Sequence, residues 1–197
     1  MIFPLSTVGF LVSVLLAPAQ AAAFTPVERT VTYPVSGAAP IDLYRSIGER
    51  GPLIGKTRAI AHTNWELKWR RDYRREGSVC ALKSATPFLT ITYTLPKPTA
   101  KLDGDVARLW KTFIDGIAAH EKVHGADIVA MTEEIISATV GLRIENDPGC
   151  RLIRAEVLNR VTAANEAYKA RSRAFDIAEM GKGGNVQKLI LALVNGR

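Results

Sequence analysis

From Val106 to Val140 the chain has no proline and repeats its apolar residues with the period of an α-helix, at Leu109, Phe113, Ile117, Val123, Ile128, Met131 and Ile135. Asp103 or Asp105 is suited to cap the start of that helix, and Gly141 to stop it. Within it lies His120-Glu121-Lys122-Val123-His124, an H-E-x-x-H pattern. One helical turn separates the two histidines, so both imidazoles share a face and can hold a single zinc ion. They fall on the stripe Phe113, Ile117, His120, His124, Ile128, Met131, Ile135, which must face inwards. Two imidazoles buried without partners would be costly, so the pattern points to a metal rather than to incidental core histidines. Zinc lowers the pKa of bound water towards ~7, and Glu121 between the histidines then acts as general base. The chemistry indicated is metal-assisted hydrolysis, of a peptide bond in the first instance.

The sequence before this helix alternates instead of turning. Val27 to Val35 reads as a strand, with Val27, Val31, Tyr33 and Val35 on one face. Pro40 to Gly48 reads as a short helix, and Gly51-Pro52 breaks the chain. From Thr57 to Arg70, Ala59, Ala61, Thr63, Trp65, Leu67 and Trp69 face one way, and Ile60, His62, Asn64, Glu66, Lys68 and Arg70 the other. His62 is thus expected on the polar face, towards solvent, rather than as a third metal ligand. Val79 to Leu82 and Phe88 to Leu95 make further strands, closed by Pro96 and Pro98. After the motif helix, Glu145 to Gly149 makes a turn and Cys150 to about Ile177 a second long helix, its apolar stripe interrupted at Arg171 and Ser172. Val186 to Val194 suits either a last packing helix or a strand. The expected fold class is α+β, zincin-like. A small antiparallel sheet in the N-terminal half packs on the long H-E-x-x-H helix and on a second long antiparallel helix. By analogy with zinc peptidases of that plan, an edge strand is free to align an extended substrate.

Residues 1–23 carry no charged side chain, Val8 to Leu16 is an apolar run, and Ala19-Gln20-Ala21 fits a small-x-small cleavage site. They read as a secretory signal peptide, although the n-region lacks Lys or Arg, and they leave 24–197 as a single zincin-like metallopeptidase domain with no stable membrane span after cleavage. The protein is therefore expected in the periplasm or outside the cell. Disulfides form in such compartments, and the two cysteines, Cys80 and Cys150, suggest one bridge. Lys and Arg number 26 against 19 Asp and Glu, a net charge of +7. The densest basic run, Lys68-Trp69-Arg70-Arg71-Asp72-Tyr73-Arg74-Arg75, suits a solvated strand end, or contact with an anionic surface. Export argues against nucleic acid as partner; the expected substrate is a peptide or an envelope polymer.

Tyr33-Pro34-Val35-Ser36-Gly37, Gly51-Pro52, Ala61 to Trp69, Leu95-Pro96, Trp110 and His120 to His124 follow one another in an order, with Cys80 before the last strand and Cys150 after the motif helix, that resembles an uncharacterised proteobacterial family of predicted secreted zinc-dependent proteases. The resemblance spans the mature chain. It implies export, one disulfide and a zinc hydrolase fold. It also exposes a departure. Such chains usually close with a Tyr-Asp pair, a Thr, and a His-Gly pair shortly before a Gln, and that His would be the third ligand. Here Phe175-Asp176 match the aromatic-Asp pair, Gly183-Gly184 stand where His-Gly would be, and no histidine follows His124.

A catalytic zinc site needs three protein ligands and one open position, so a carboxylate must complete this one. Glu179 is favoured, with Asp176 equally near in sequence. If the helix pair turns near residue 145, residues 166 to 170 lie level with the histidines, and Glu166 enters. The position usual in gluzincins would call on Glu145 or Glu156. Two functions follow. One is a zinc peptidase in which His120, His124 and Glu179 bind Zn2+ and Glu121 activates water. The other is a degenerate relative that serves as an envelope binding or assembly protein.

Overall fold

The computed structural model describes residues 24–196; the signal-peptide reading of 1–23 lies outside them. The elements in order are β1 (Val27–Val35), α1 (Pro40–Arg50), β2 (Leu53–Ile54), β3 (Thr57–Arg58), β4 (His62–Glu76), β5 (Val79–Pro98), α2 (Gly104–Thr139), β6 (Arg143–Ile144), α3 (Arg151–Met180) and α4 (Asn185–Asn195). The class is mixed α+β, as expected, with the strands mostly first and the long helices after them.

The sheet itself is mixed rather than antiparallel. Its order is β1-β5-β4, with β6 added to β5. β4 and β5 form an antiparallel ribbon, but β1 runs parallel to β5, from Val27 against Thr90 to Val35 against Pro98. A parallel neighbour needs a long connection, and the chain has one: α1, β2, β3 and β4 all lie between the two strands. β5 is also a single strand of 20 residues rather than two, and it runs through its prolines. Pro87 pairs with Trp69 of β4, before β1 begins at Thr90, while Pro96 and Pro98 pair with β1, beyond the end of β4 at Thr94. Each proline therefore has a neighbour strand on one side only, and its missing N–H faces the empty side.

Helix α2 lies across this ribbon with its apolar stripe inwards: Phe113, Ile117, His120, His124, Ile128, Met131 and Ile135 are all buried. Val186 to Val194 resolves as the helix α4, which closes one end of the core against α2. The other end is held by the bridge Cys80–Cys150, which ties β5 to the residue before α3. A cross-link that spans 70 residues removes about 4 kcal/mol of unfolded-chain entropy in the loop-closure picture. Asp147, buried, takes the cap of α3, its carboxylate accepting from the N–H groups of Arg151 and Ile153 at 2.8 and 2.9 Å. No described helix is long and apolar enough to cross a membrane.

One contact sets how closely α2 approaches the sheet. A Cβ on Gly125 would stand 2.1 Å from the Tyr93 hydroxyl, so only glycine lets that ring pass under the helix directly after the histidine motif. The hydroxyl goes on to donate to Glu28 at 3.1 Å; Glu28 also pairs with Lys122, whose ammonium sits 4.2 Å from the centre of the Tyr93 ring. Gly125→Ala is expected to lower stability by about 1–3 kcal/mol through overpacking. Adding Tyr93→Phe, which removes the clashing oxygen, should return part of that loss in urea denaturation. Equal losses with and without the hydroxyl would refute the contact.

Candidate metal centre

His120 and His124 point their Nε2 atoms at one another across 3.2 Å on the inner face of α2. From α3, Asp176 brings Oδ1 to 2.9 Å from His124 Nε2 and 3.3 Å from His120 Nε2. Four ligands at about 2.05 Å in a tetrahedron stand roughly 3.3 Å apart. The three donor atoms thus form a triangle of the size one face of a zinc site requires. Two imidazoles and a carboxylate are also a donor set that catalytic zinc accepts, with the fourth position left for water or substrate. Among the described residues these are the three that could jointly hold a metal ion.

The carboxylate that joins the two Nε2 atoms is Asp176, whereas the expectation from sequence is Glu179. The imidazole ring explains the difference, because its two nitrogens face opposite ways. Asp176 lies on the Nε2 side, while Glu179, one turn further along α3, approaches Nδ1 of His120, at 3.8 Å. The level along α3 also differs from the simple hairpin estimate. Arg160 reaches the carbonyl of Ala138 near the end of α2, so the first turns of α3 run past that end. The chain between the helices is drawn out by β6, which pairs Ile144 with Cys80, and by the disulfide at Cys150. That offset moves Glu166 away from the histidines and brings Asp176 level with them. Glu166 pairs with Lys169 and Glu156 with Arg160 on the surface. His62 is half-buried rather than turned to solvent, and it lines the same cleft, outside the donor triangle.

Two of the site groups, His124 and Glu121, have a hydrogen-bond partner that holds their orientation. In the tautomer that leaves Nε2 of His124 free to donate its lone pair, Nδ1–H donates to Ser172 Oγ at 3.1 Å. His120 Nδ1 is buried without a hydrogen-bond partner among the described residues and faces the Glu179 carboxylate. Glu179 is itself held by Asn185 Nδ2 at 2.7 Å, across the turn into α4. That turn is tight enough to need Gly184, whose Cβ would come 2.2 Å from the Glu179 carbonyl. Phe175 stacks on His120 with ring centres 4.8 Å apart. Glu121, also buried, has Oε2 2.5 Å from the Thr63 hydroxyl of β4, which donates to it. Its other carboxylate oxygen has no protein partner among the described residues.

Two groups of the cluster, Asp176 and His124, are shifted from their ordinary values. Burial pushes the Asp176 carboxyl upward, but hydrogen bonds and charge from both histidines outweigh it and hold the group well below the usual carboxylate range. Burial works to lower His124; the Asp176 hydrogen bond and charge, with Glu121 and Asp127 behind them, raise it above its ordinary value. Burial also raises the Tyr168 phenol, which lines the cleft beside Ser172. That cleft holds about 460 Å³ and is walled by the start of β4 and by α3, with Glu121 and the donor triangle at its base.

Thr63, Tyr168, Ser172 and Phe175 were not singled out from sequence as site residues. Two of them carried a signal. Ser172 is where the apolar stripe of the second helix breaks, and Thr63 is a polar residue on the inward face of its strand. The break at Arg171 has a different cause, an ion pair with Glu134 at 3.2 Å.

Over residues 30–184 the chain matches a family described as "Bacterial protein of unknown function (DUF922)", and it belongs to that family. No curated protein matches it, and no solved structure does.

If Asp176 is the third ligand and Glu179 an outer support, the two substitutions separate. Asp176→Ala should abolish tight binding of added Zn2+, whereas Glu179→Ala should weaken it by about 10–100-fold. Competition against a chelating dye reads both, and the reverse order of effects would make Glu179 the ligand.

Proposed function

We propose that this protein is an exported zinc-dependent hydrolase of the zincin type that cleaves amide bonds, peptides in the first instance. The observation that carries the reading is Glu121: a buried carboxylate fixed by Thr63, on the helix turn between two histidines whose Nε2 atoms converge with Asp176. A site that only bound metal would have no use for a base held in that position. His120, His124 and Asp176 would hold the ion. When bound, zinc supplies Lewis acidity, polarising the carbonyl to be attacked and acidifying water at ordinary pH.

The protein's own groups supply the rest. Thr63 occupies one oxygen of Glu121, which leaves the other to take the proton from an attacking water. The water oxygen bonds to the carbonyl carbon, the C–N bond breaks, and Glu121 passes the proton to the leaving amine. Ser172 orients the His124 imidazole, Glu179 faces Nδ1 of His120, and Phe175 stacks on the His120 ring. The cleft beside β4 receives the substrate. The disulfide suits an oxidising compartment and so agrees with export. The case for a degenerate binding relative rested on a missing third donor, and Asp176 offers one.

The dialysed wild-type protein should retain about one zinc per chain, and His120→Ala should not. Against a pool of unstructured peptides, Glu121→Gln should keep the metal and lose about 10²–10⁴-fold in kcat. A folded, disulfide-bonded wild-type protein that retains no zinc would overturn the reading, and so would a zinc-loaded Glu121→Gln that cleaves as fast as wild type.

A further inference from the structure

The basic run of β4 is divided by the strand's alternation. Lys68 and Arg70 face out, whereas Trp69, Arg71 and Tyr73 continue the inward face of Trp65 and Leu67 and are half-buried. There they line a second groove, of about 530 Å³, between β4 and the first half of α3. Arg71 and Arg154 are the only charged side chains that line it. Neither has a carboxylate partner among the described residues, although Arg74 pairs with Asp72, and Lys83 and Arg143 with Glu76. Arg71 lies over the Trp69 ring, 5.0 Å from its centre, with its Nε buried and unpaired. Arg154 reaches across from α3 to lie 4.3 Å from the centre of the Tyr73 ring. Two cations are thus brought to one groove on aromatic supports, one of them with a buried donor unused. Such an arrangement is costly unless an acceptor is supplied.

The groove adjoins the metal cleft. Trp65 of the groove and Tyr168 of the cleft meet edge to face with ring centres 6.2 Å apart. β4 is an edge strand whose second backbone edge is unpaired among the described residues, so an extended chain can add to it by main-chain hydrogen bonds. A glycan could use the aromatic rings, but it carries no amide groups repeated at the spacing of a strand. Arg71 stands eight residues along β4 from Thr63, on the order of 26 Å at the rise of a strand.

We propose that this groove is a remote subsite for acidic side chains, so that the substrate is an extended polypeptide bearing carboxylates about six to eight residues from the bond held at the metal centre. The substrate assignment rests on the hydrolytic reading above; the acidic preference of the groove does not. The test is equilibrium binding to metal-free Glu121→Gln protein, which cannot turn over, read by tryptophan emission. The probes are a short unstructured peptide with a run of glutamates, its glutamine counterpart, and a neutral oligomer of N-acetylglucosamine.

The glutamate peptide should bind about tenfold more tightly than the glutamine one, and the preference should fall with added salt. Arg71→Gln and Arg154→Gln should each reduce it to the glutamine level. Arg154 is on the exposed side of α3, so its variant keeps the test intact even if Arg71→Gln fails to fold. Equal binding of the two peptides, a preference that survives both substitutions, or tighter binding of the glycan would overturn the proposal. If zinc retention or cleavage fails while the glutamate preference stands, the hydrolytic reading falls and the acidic subsite remains.

Discussion

The convergence of His120, His124 and Asp176 depends on the register between α2 and α3. A helix can place two histidines on one face by itself, but the third donor must arrive from a separate element at the same height and with the same atom spacing. That height is fixed far from the site, where β6 pairs with β5 and Cys150 is bonded to Cys80. These contacts start α3 beyond the end of α2, and the shift is about the distance that separates Glu166 from the end of the helix. A one-turn slip would put Ser172 or Glu179 opposite the imidazoles in place of Asp176. The disulfide therefore acts on the geometry of the site as well as on stability. It holds the one register in which two buried imidazoles meet a carboxylate.

The supporting contacts follow from the same placement. His124 meets Ser172 because that residue is one turn before Asp176, and Glu179 approaches His120 because it is one turn after. Both imidazoles then face the Asp176 carboxylate at Nε2, and at His124 the Ser172 contact to Nδ1 is of the kind that fixes a metal-binding tautomer. On the sheet side, Gly125 leaves room for the Tyr93 hydroxyl beneath the helix, and Thr63, which pairs with Tyr93 on the neighbouring strand, comes within hydrogen-bond reach of Glu121.

Local pattern carried much of this. The motif helix is found within two residues of its expected bounds, because a long unbroken period of 3.6 admits few alternatives. Strand β1 and the short helix α1 were equally legible from alternation and breakers, whereas the strand expected from Thr57 to Arg70 is split into β3, which pairs with β2 in a separate sheet, and β4, which starts at His62 and runs on to Glu76. Non-local pairing was not. Nothing in Val27 to Val35 says that it pairs parallel to β5, and Pro96 and Pro98 read as a stop until their neighbours are known. The third donor failed for the same reason. Asp176 and Glu179 are three residues apart on one helix face, and choosing between them requires the rotation and height of α3. His62, placed by alternation on the polar face, comes to line the cleft because the strand begins there and its edge is not covered.

The charge of +7 is unevenly used, and the unevenness has a direction. At one end of β4 the cleft is lined by charges of both signs, Glu121 and Asp176 with Arg58. At the far end the groove is lined by positive charge alone, from Arg71 and Arg154. A carboxylate on a bound chain is thus drawn to the far end. Such an attraction sets the register of an extended ligand without any pocket that reads a side chain's shape, since sliding by one residue moves every charge by about 3.3 Å along the strand. Discrimination by one weak field is modest at each position and is screened by salt. A groove of this kind would select acidic stretches of varied sequence rather than one fixed recognition site.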